Sequence, residues 1–340
     1  MRRTQIVVTL GPKSWSREVI RGMIQAGADV MRLNLSHVRS VHDYRFLSGV
    51  VRAVREIAKE VGRLVGVMVD TPGHKFRLGE FIEREVRLGD ALELTSSADL
   101  QNGEIYFPNQ DYLSLMRVGQ EVVIGDGFPR FRVVQDASPN VLCKVSLAGL
   151  LEPFKGLTVR GGLRIGDLNL SPLTEKDERG FQFAVEVGAD QVVMSYGTSA
   201  NQLIVFTKRY RELGGTGRVL FKYELGEAGD DLEAIVQASD GGFVGQGDLG
   251  LSIPSEEVPK EAERVVLAYR NQDKSCIVGT QLLSSMKSHP FPTHGERAGI
   301  YFNVMIGATA LMVSDETSIG DFPMEVVEVL ARNIRAAEKI

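Results

Sequence analysis

Arg218 to Gly250 reads RVLFKYELGEAGDDLEAIVQASDGGFVGQGDLG, and its pattern decides the fold. Val219, Leu220 and Phe221 make a short apolar strand that ends in Lys222, Tyr223 and Glu224. Behind it, Leu232, Ile235 and Val236 fall at helical spacing. Gly242, Phe243 and Val244 form the next strand, which runs into a loop at Gly247, Asp248, Leu249 and Gly250. In a parallel sheet both strand ends share one rim. Lys222, Glu224 and Asp248 are therefore expected to stand together, one ammonium with two carboxylates.

Two carboxylates on adjacent strand ends make a hard, oxygen-only cation site. Mg²⁺ accepts one or two protein carboxylates and leaves its other positions to water and substrate oxygens. Zinc does not suit the stretch, which has no Cys/His cluster nearby. A lysine beside such an ion suits a phosphoryl group, which needs positive charge on both sides as it moves. Taken alone, the three charges also read as a surface salt bridge.

Composition narrows the class. The chain has 340 residues, 43% hydrophobic and 24% charged, enough for one large core plus an inserted or appended domain. A net charge of −5 carries no nucleic-acid footprint. Cys143 and Cys276 lie far apart, which argues against a disulfide framework and fits a reducing cytoplasm. Cys276 sits in an apolar run as a small core residue. The opening MRRTQIVVTLGPKSW has an apolar run too short for a signal sequence. No stretch approaches the ~18 apolar residues of a membrane span.

Outward from the central stretch, strand and helix alternate. Thr4 to Leu10, Ala28 to Leu35 and Leu64 to Val69 read as strands one to three. Ser16 caps a helix ended by Gly27, and Leu47, Val50, Val51, Val54 and Ile57 share the face of a longer one. From Leu78 to about Leu157 the pattern changes to short alternating strands without a helix, with turns at Asn102-Gly103, Gly125-Asp126-Gly127 and Pro139-Asn140. Helical pattern resumes with the capping box at Thr174 to Asp177. Further strands fall at Gln191–Met194, Cys276–Val278 and Ala310–Val313. Thr293 and Glu296 cap one later helix, and Pro323 opens the last.

Eight β/α units predict an α/β fold, a closed (β/α)₈ TIM barrel, with a small β domain inserted after strand 3. The barrel would comprise residues 1–77 and 158–340, and the insert 78–157. An open doubly wound sheet is the alternative, but no G-x-G-x-x-G follows strand one. Polar residues end nearly every strand, from Thr9, Arg32 and Asp70 to Thr280 and Asp315. A barrel gathers them on its C-terminal rim, where active sites sit.

Ordered motifs along essentially the whole chain resemble the pyruvate kinase family. They are Arg32-Leu33-Asn34-Leu35-Ser36-His37, Asp70-Thr71 with Arg77, Leu173-Thr174-Glu175-Lys176-Asp177 and Lys222-Tyr223-Glu224. Gly247-Asp248-Leu249-Gly250, Gly279-Thr280-Gln281-Leu282-Leu283, Pro292-Thr293 and Ser314-Asp315-Glu316-Thr317 complete the set. The resemblance implies a glycolytic kinase moving phosphate from phosphoenolpyruvate to ADP, giving pyruvate and ATP. It implies Mg²⁺ or Mn²⁺ held by Glu224 and Asp248. Lys222 would contact the transferring phosphoryl group, Arg32 would grip the phosphate, and Thr280 would sit near the protonated carbon. Substrate would also meet Ser195 and the amides of Gly247 and Asp248. Nucleotide contacts would fall at Pro12, Asn34, His37, Arg77 and Lys155, with the insert as a mobile lid.

Asn34, Ser36, Asp70 and Thr71 would form a monovalent-cation site. Lys75 stands where potassium-dependent members have Glu, so its ammonium would replace the ion and potassium would not be required. Other departures are Gln246 for Arg, Tyr196 for Phe, Tyr223 for Ile and Ile319 for Lys. The two phenols either read a polar substituent or face the packing behind the rim. The family's C-terminal domain has no counterpart within these residues, which implies a homodimer through the barrel rather than a tetramer; the protein is expected to be cytoplasmic, as its separate cysteines suggest. Two other readings stand beside this one. The same metal site could act on a related enol phosphate or 2-oxoacid, or the chain could be a non-catalytic ligand-binding relative.

Overall fold

The computed structural model describes residues 2–38, 40–101, 103–136, 139–161, 163–168 and 170–339. Eight parallel strands close into a barrel: β1 (Gln5–Thr9), β2 (Val30–Asn34), β3 (Gly66–Asp70), β4 (Gln191–Met194), β5 (Arg218–Tyr223), β6 (Gly241–Gly245), β7 (Ser275–Gly279) and β8 (Ala310–Val313). Neighbours pair in chain order, and β1 closes on β8 through Gln5 opposite Ala310. Alternation sorts their side chains. Val7, Val30, Met68, Leu220 and Phe243 fill the barrel interior, whereas Ile6, Val8, Met31, Val69 and Phe221 face the helices.

Capping chemistry sets several helix starts. Ser16 accepts from Val19 N and opens Arg17–Ala26. Ser40 with Asp43, Thr174 with Asp177 and Thr293 with Glu296 form reciprocal capping boxes. The buried face of Val41–Val61 carries Leu47, Val50, Val51, Val54 and Ile57, the residues that periodicity picks out.

The segment after β6 is not a loop. Gln246–Ser252 is a short helix with Asp248 in its first turn and Leu249 buried. Two glycines lower its intrinsic propensity, which hides it in the sequence. The buried leucine and the acid at the positive helix end support it.

The insert is built from a six-stranded sheet and a two-stranded ribbon around its own core. Among its described residues it also contains one helix, Gln110–Leu115, where none was expected. Asn109 caps it by accepting from Tyr112 N. Six residues are too few to show a period, but Tyr112 stacks on Phe76 with ring centres 4.3 Å apart and pins the turn. Of the expected Asn102-Gly103 turn, Asn102 lies outside the described residues. The last strand of the insert, Leu157–Arg160, extends past position 157. Arg160 Nε donates to Leu251 O at 2.8 Å, tying that strand to the helix that carries Asp248. Cys143 and Cys276 are both buried and free.

Candidate active site

The polar ends of the strands meet at the C-terminal rim around Asp70, which closes β3. Asp70 is 1% exposed. Arg32 from β2 donates to its Oδ2 through Nε at 2.8 Å and lies 2.7 Å away through Nη2. Ser195 Oγ donates to Oδ1 at 2.8 Å, and the Lys222 ammonium is 3.3 Å from Oδ2. Burial alone would raise the Asp70 pKa, but Lys222 and Arg32 outweigh it and hold the carboxyl below its ordinary range.

Lys222 reaches further. Its Nζ stands 2.7 Å from Glu224 Oε1 and 5.3 Å from the centre of the Phe243 ring. Glu224 is fully buried; its Oε2 accepts from Tyr196 N at 3.2 Å. Burial, outweighing the attraction of Lys222, pushes its carboxyl up to about 7. Asp248, on the next strand end, is shifted the opposite way. Burial opposes ionisation there, but Lys75 and Lys222 hold the carboxyl well below its usual range. Two neighbouring acids with divided pKa values mark a site built for charge rather than for packing.

Backbone strain gathers at the same rim. Tyr196, Thr280 and Gln281 have φ of 56°, 69° and 57°. A left-handed conformation is costly for a β-branched residue and persists only where its surroundings enforce it. Thr280 Oγ1 accepts from Gly247 N at 2.7 Å, so that amide is engaged by the threonine. Gly73 has φ 59°, and a Cβ there would stand 2.2 Å from Ser195 O; this close turn delivers Lys75 to the rim.

The structure therefore brings Arg32, Asp70, Lys75, Ser195, Lys222, Glu224, Asp248 and Thr280 together. It does not gather the monovalent-cation quartet around Lys75. Asn34 Oδ1 accepts from Ser36 N, Thr71 Oγ1 donates to Val193 O, and Asp70 is taken by Arg32, Ser195 and Lys222. The Lys75 ammonium lies instead 2.8 Å from Asp248 Oδ1.

Beside this cluster, a cavity of about 500 Å³ is lined by Pro12, Asn34 and His37, with Trp15, Phe46 and Ile319. Trp15 and Phe46 meet edge to face at 4.8 Å. Burial, then the guanidiniums of Arg77 and Arg32, push the His37 imidazole down, favouring its neutral form. His37 also lines a cleft of about 970 Å³ with Arg77, Phe154, Lys176 and Arg179. Lys155 lines neither space and pairs with Glu152 at 3.0 Å. Periodicity and motif spacing do not single out Trp15 or Phe46. The one signal is that Trp15, the chain's single tryptophan, follows the Gly11-Pro12 break.

A family model described as the pyruvate kinase barrel domain matches residues 1–327. The chain belongs to the pyruvate kinase family. A pyruvate kinase of Agrobacterium vitis is 33% identical over 99% of this chain and 70% of its own length. One from Mycobacterium tuberculosis is 34% identical over 99% of the chain and 71% of its own length. Pyruvate kinase 2 of Synechocystis is 32% identical over 97%, and there the chain spans 56% of the relative. Among the described residues, no helix is long and apolar enough to cross a membrane.

Against the pyruvate kinase pattern, the two unusual phenols separate. Tyr223 points away from the rim: its hydroxyl donates to Glu261 Oε1 at 2.5 Å and accepts from Arg264 Nη2 at 3.2 Å. It belongs to the packing between barrel and helix and cannot read a substrate. The Tyr196 ring faces the site, with the Lys75 ammonium 5.4 Å from its centre. Its buried hydroxyl faces Asp248 but, among the described residues, has no hydrogen-bond partner of good geometry.

Two carboxylates fit a magnesium ion better than a softer metal. Among the described residues no cluster of three or more His, Cys, Asp or Glu side chains is placed to hold a metal by itself. Glu224 Oε1 has the Lys222 ammonium nearby but no well-formed hydrogen bond. A buried carboxylate oxygen left this way accepts a hard cation that completes its shell with substrate and water.

Proposed function

We propose that this protein transfers the phosphoryl group of phosphoenolpyruvate to ADP, with Mg²⁺ and without potassium. The observation that carries the reading is the convergence of Arg32 and Lys222 on Asp70 beside the Glu224 and Asp248 pair. Arg32, Lys75 and Lys222 offset Asp70, Glu224 and Asp248, so the site is nearly neutral by itself. A substrate carrying a phosphate and a carboxylate brings excess negative charge. Glu224 and Asp248 would hold a divalent ion that supplies the missing positive charge and polarises substrate oxygens.

Arg32 is held on Asp70 through Nε and Nη2 and on Thr9 through Nη1, so the one further N–H on each terminal nitrogen would meet the phosphate and fix its direction. Lys222 places a point charge where the phosphorus–oxygen bond to the enol breaks and negative charge grows on the enolate oxygen. The terminal phosphate oxygen of ADP forms the new bond to phosphorus. The enolate then takes a solvent-derived proton at its terminal carbon, on the side where Thr280 stands, to give pyruvate. The inserted domain excludes water, which would otherwise accept the phosphoryl group. Lys75 brings a covalently held cation to the site, the ground for independence from potassium. The Tyr196 ring, turned to the site beside Asp248 and the Lys75 ammonium, favours a second reading, a substrate related to phosphoenolpyruvate with one more polar group.

Pro12, Asn34 and His37 line the aromatic cavity, which supports it as the nucleoside pocket. Trp15 is the single tryptophan, so its fluorescence reports this pocket alone. ADP is expected to change Trp15 emission saturably, and the calorimetric affinity should match the optical one. ADP binding seen by calorimetry with unchanged emission would put the nucleotide elsewhere.

A further inference from the structure

We propose that Lys75 couples the metal site to the hinge of the inserted domain, by holding Asp248 until a divalent ion takes it. The inference rests on the Mg²⁺ site proposed above. The ammonium lies 2.8 Å from Asp248 Oδ1 and over the Tyr196 ring. Its stem is rooted in the hinge. Leu157 N donates to Phe76 O and Leu78 N to Lys155 O, each at 2.9 Å, while Arg77 bridges to Gly156. Gly156 has no side chain, and a Cβ there would stand 3.1 Å from Lys75 Cε. The stem therefore packs along the returning hinge strand while the head sits in the site.

An ammonium in contact with Asp248 and a divalent ion on the same carboxylate repel each other strongly at that spacing. Entry of the ion displaces the Lys75 ammonium from Asp248 while leaving it in the site over the Tyr196 ring, and the hinge loses this tie to the helix Gln246–Ser252, keeping only that of Arg160. The metal thus binds against a resident cation, with an affinity below what two carboxylates alone would give. Loading the metal loosens the hinge at Lys75.

The test titrates Mn²⁺ into the purified protein, with free ion followed by electron paramagnetic resonance. Hydrogen exchange is read at residues 76–78 and 155–157. Parent, Lys75→Gln, Lys75→Arg and Asp248→Asn are compared, with melting temperatures as the folding control. Lys75→Gln is expected to bind Mn²⁺ roughly tenfold tighter, the worth of one charge-assisted hydrogen bond. Lys75→Arg, which keeps the cation, stays near the parent. Mn²⁺ speeds hinge exchange in the parent and leaves it unchanged in Lys75→Gln. Equal affinities in parent and Lys75→Gln, or no hinge response in the parent, overturn the proposal. If Asp248→Asn alone loses Mn²⁺ while Lys75→Gln changes nothing, the metal site stands and only the role of Lys75 falls. Parent-like binding by Asp248→Asn removes both.

Discussion

Lys222→Met is expected to lower turnover by roughly a thousandfold or more, the cost of removing an electrostatic contact made in the transition state. The sequence reading places this charge for chemistry and expects little change in melting temperature. The structure revises the second half. The Lys222 side chain is 8% exposed, 2.7 Å from Glu224 and 3.3 Å from Asp70. Methionine would leave both carboxylates buried without that partner, and breaking a buried pair costs about 3–5 kcal/mol. Activity and thermal stability should therefore fall together. Lys222→Arg separates the two effects. Its charge keeps both carboxylates paired, so stability recovers, but a planar fork cannot put a compact charge at the enolate oxygen. Circular dichroism melts with single-turnover kinetics read the two. An arginine variant with normal turnover would show that Lys222 serves the fold alone.

Glu224→Gln and Asp248→Asn should each weaken Mg²⁺ binding by roughly a hundredfold or more, since outer-shell changes at metal sites already cost 10–100-fold. The pH behaviour distinguishes the two acids. The folded-state pKa of Glu224 is pushed up to about 7 from an ordinary 4.5. Between those values the folded form keeps a proton that the unfolded form has lost. Stability from this group is full below 4.5 and is lost as pH rises through about 7. Asp248 is shifted down, so its contribution is lost only as pH falls below the ordinary carboxylate range. Metal-free melting temperatures of the parent should therefore decline between these pH values by more than those of Glu224→Gln. Mg²⁺ affinity should rise with pH across the same window in the parent and stay flat in that variant. Identical pH profiles would remove Glu224 as the titrating ligand.

The barrel was legible because each strand is a short apolar run bounded by polar residues, and each major helix carries its own start signal. Ser16, Thr174 and Thr293 cap the helices where their spacing to the next acid or amide says they should. The rim cluster followed from topology: parallel strands deliver Lys222, Glu224 and Asp248 to one end whatever the loops do. Features that depend on contacts between distant segments were not legible. Helix Gln246–Ser252 is held by the burial of Leu249 against its glycine content. Tyr196 and Tyr223 look alike in sequence, yet one faces Asp248 and the other Glu261, because pleat and strain set their directions. Lys75 is 173 positions from Asp248, and only the turn at Gly73 shows which oxygen it meets.

Pyruvate formation from phosphoenolpyruvate, coupled to a dehydrogenase, tests the central claim most directly. Purified protein is assayed with Mg²⁺ and a panel of nucleoside diphosphates, first in buffer free of potassium and then with potassium added. The expected result is pyruvate and nucleoside triphosphate in equal amounts, with ADP accepted, Mg²⁺ required and no potassium effect. Strong activation by potassium would contradict only the role given to the Lys75 cation. No pyruvate under either condition, from protein that binds both Mg²⁺ and phosphoenolpyruvate, would contradict the phosphotransferase reading and leave a ligand-binding relative.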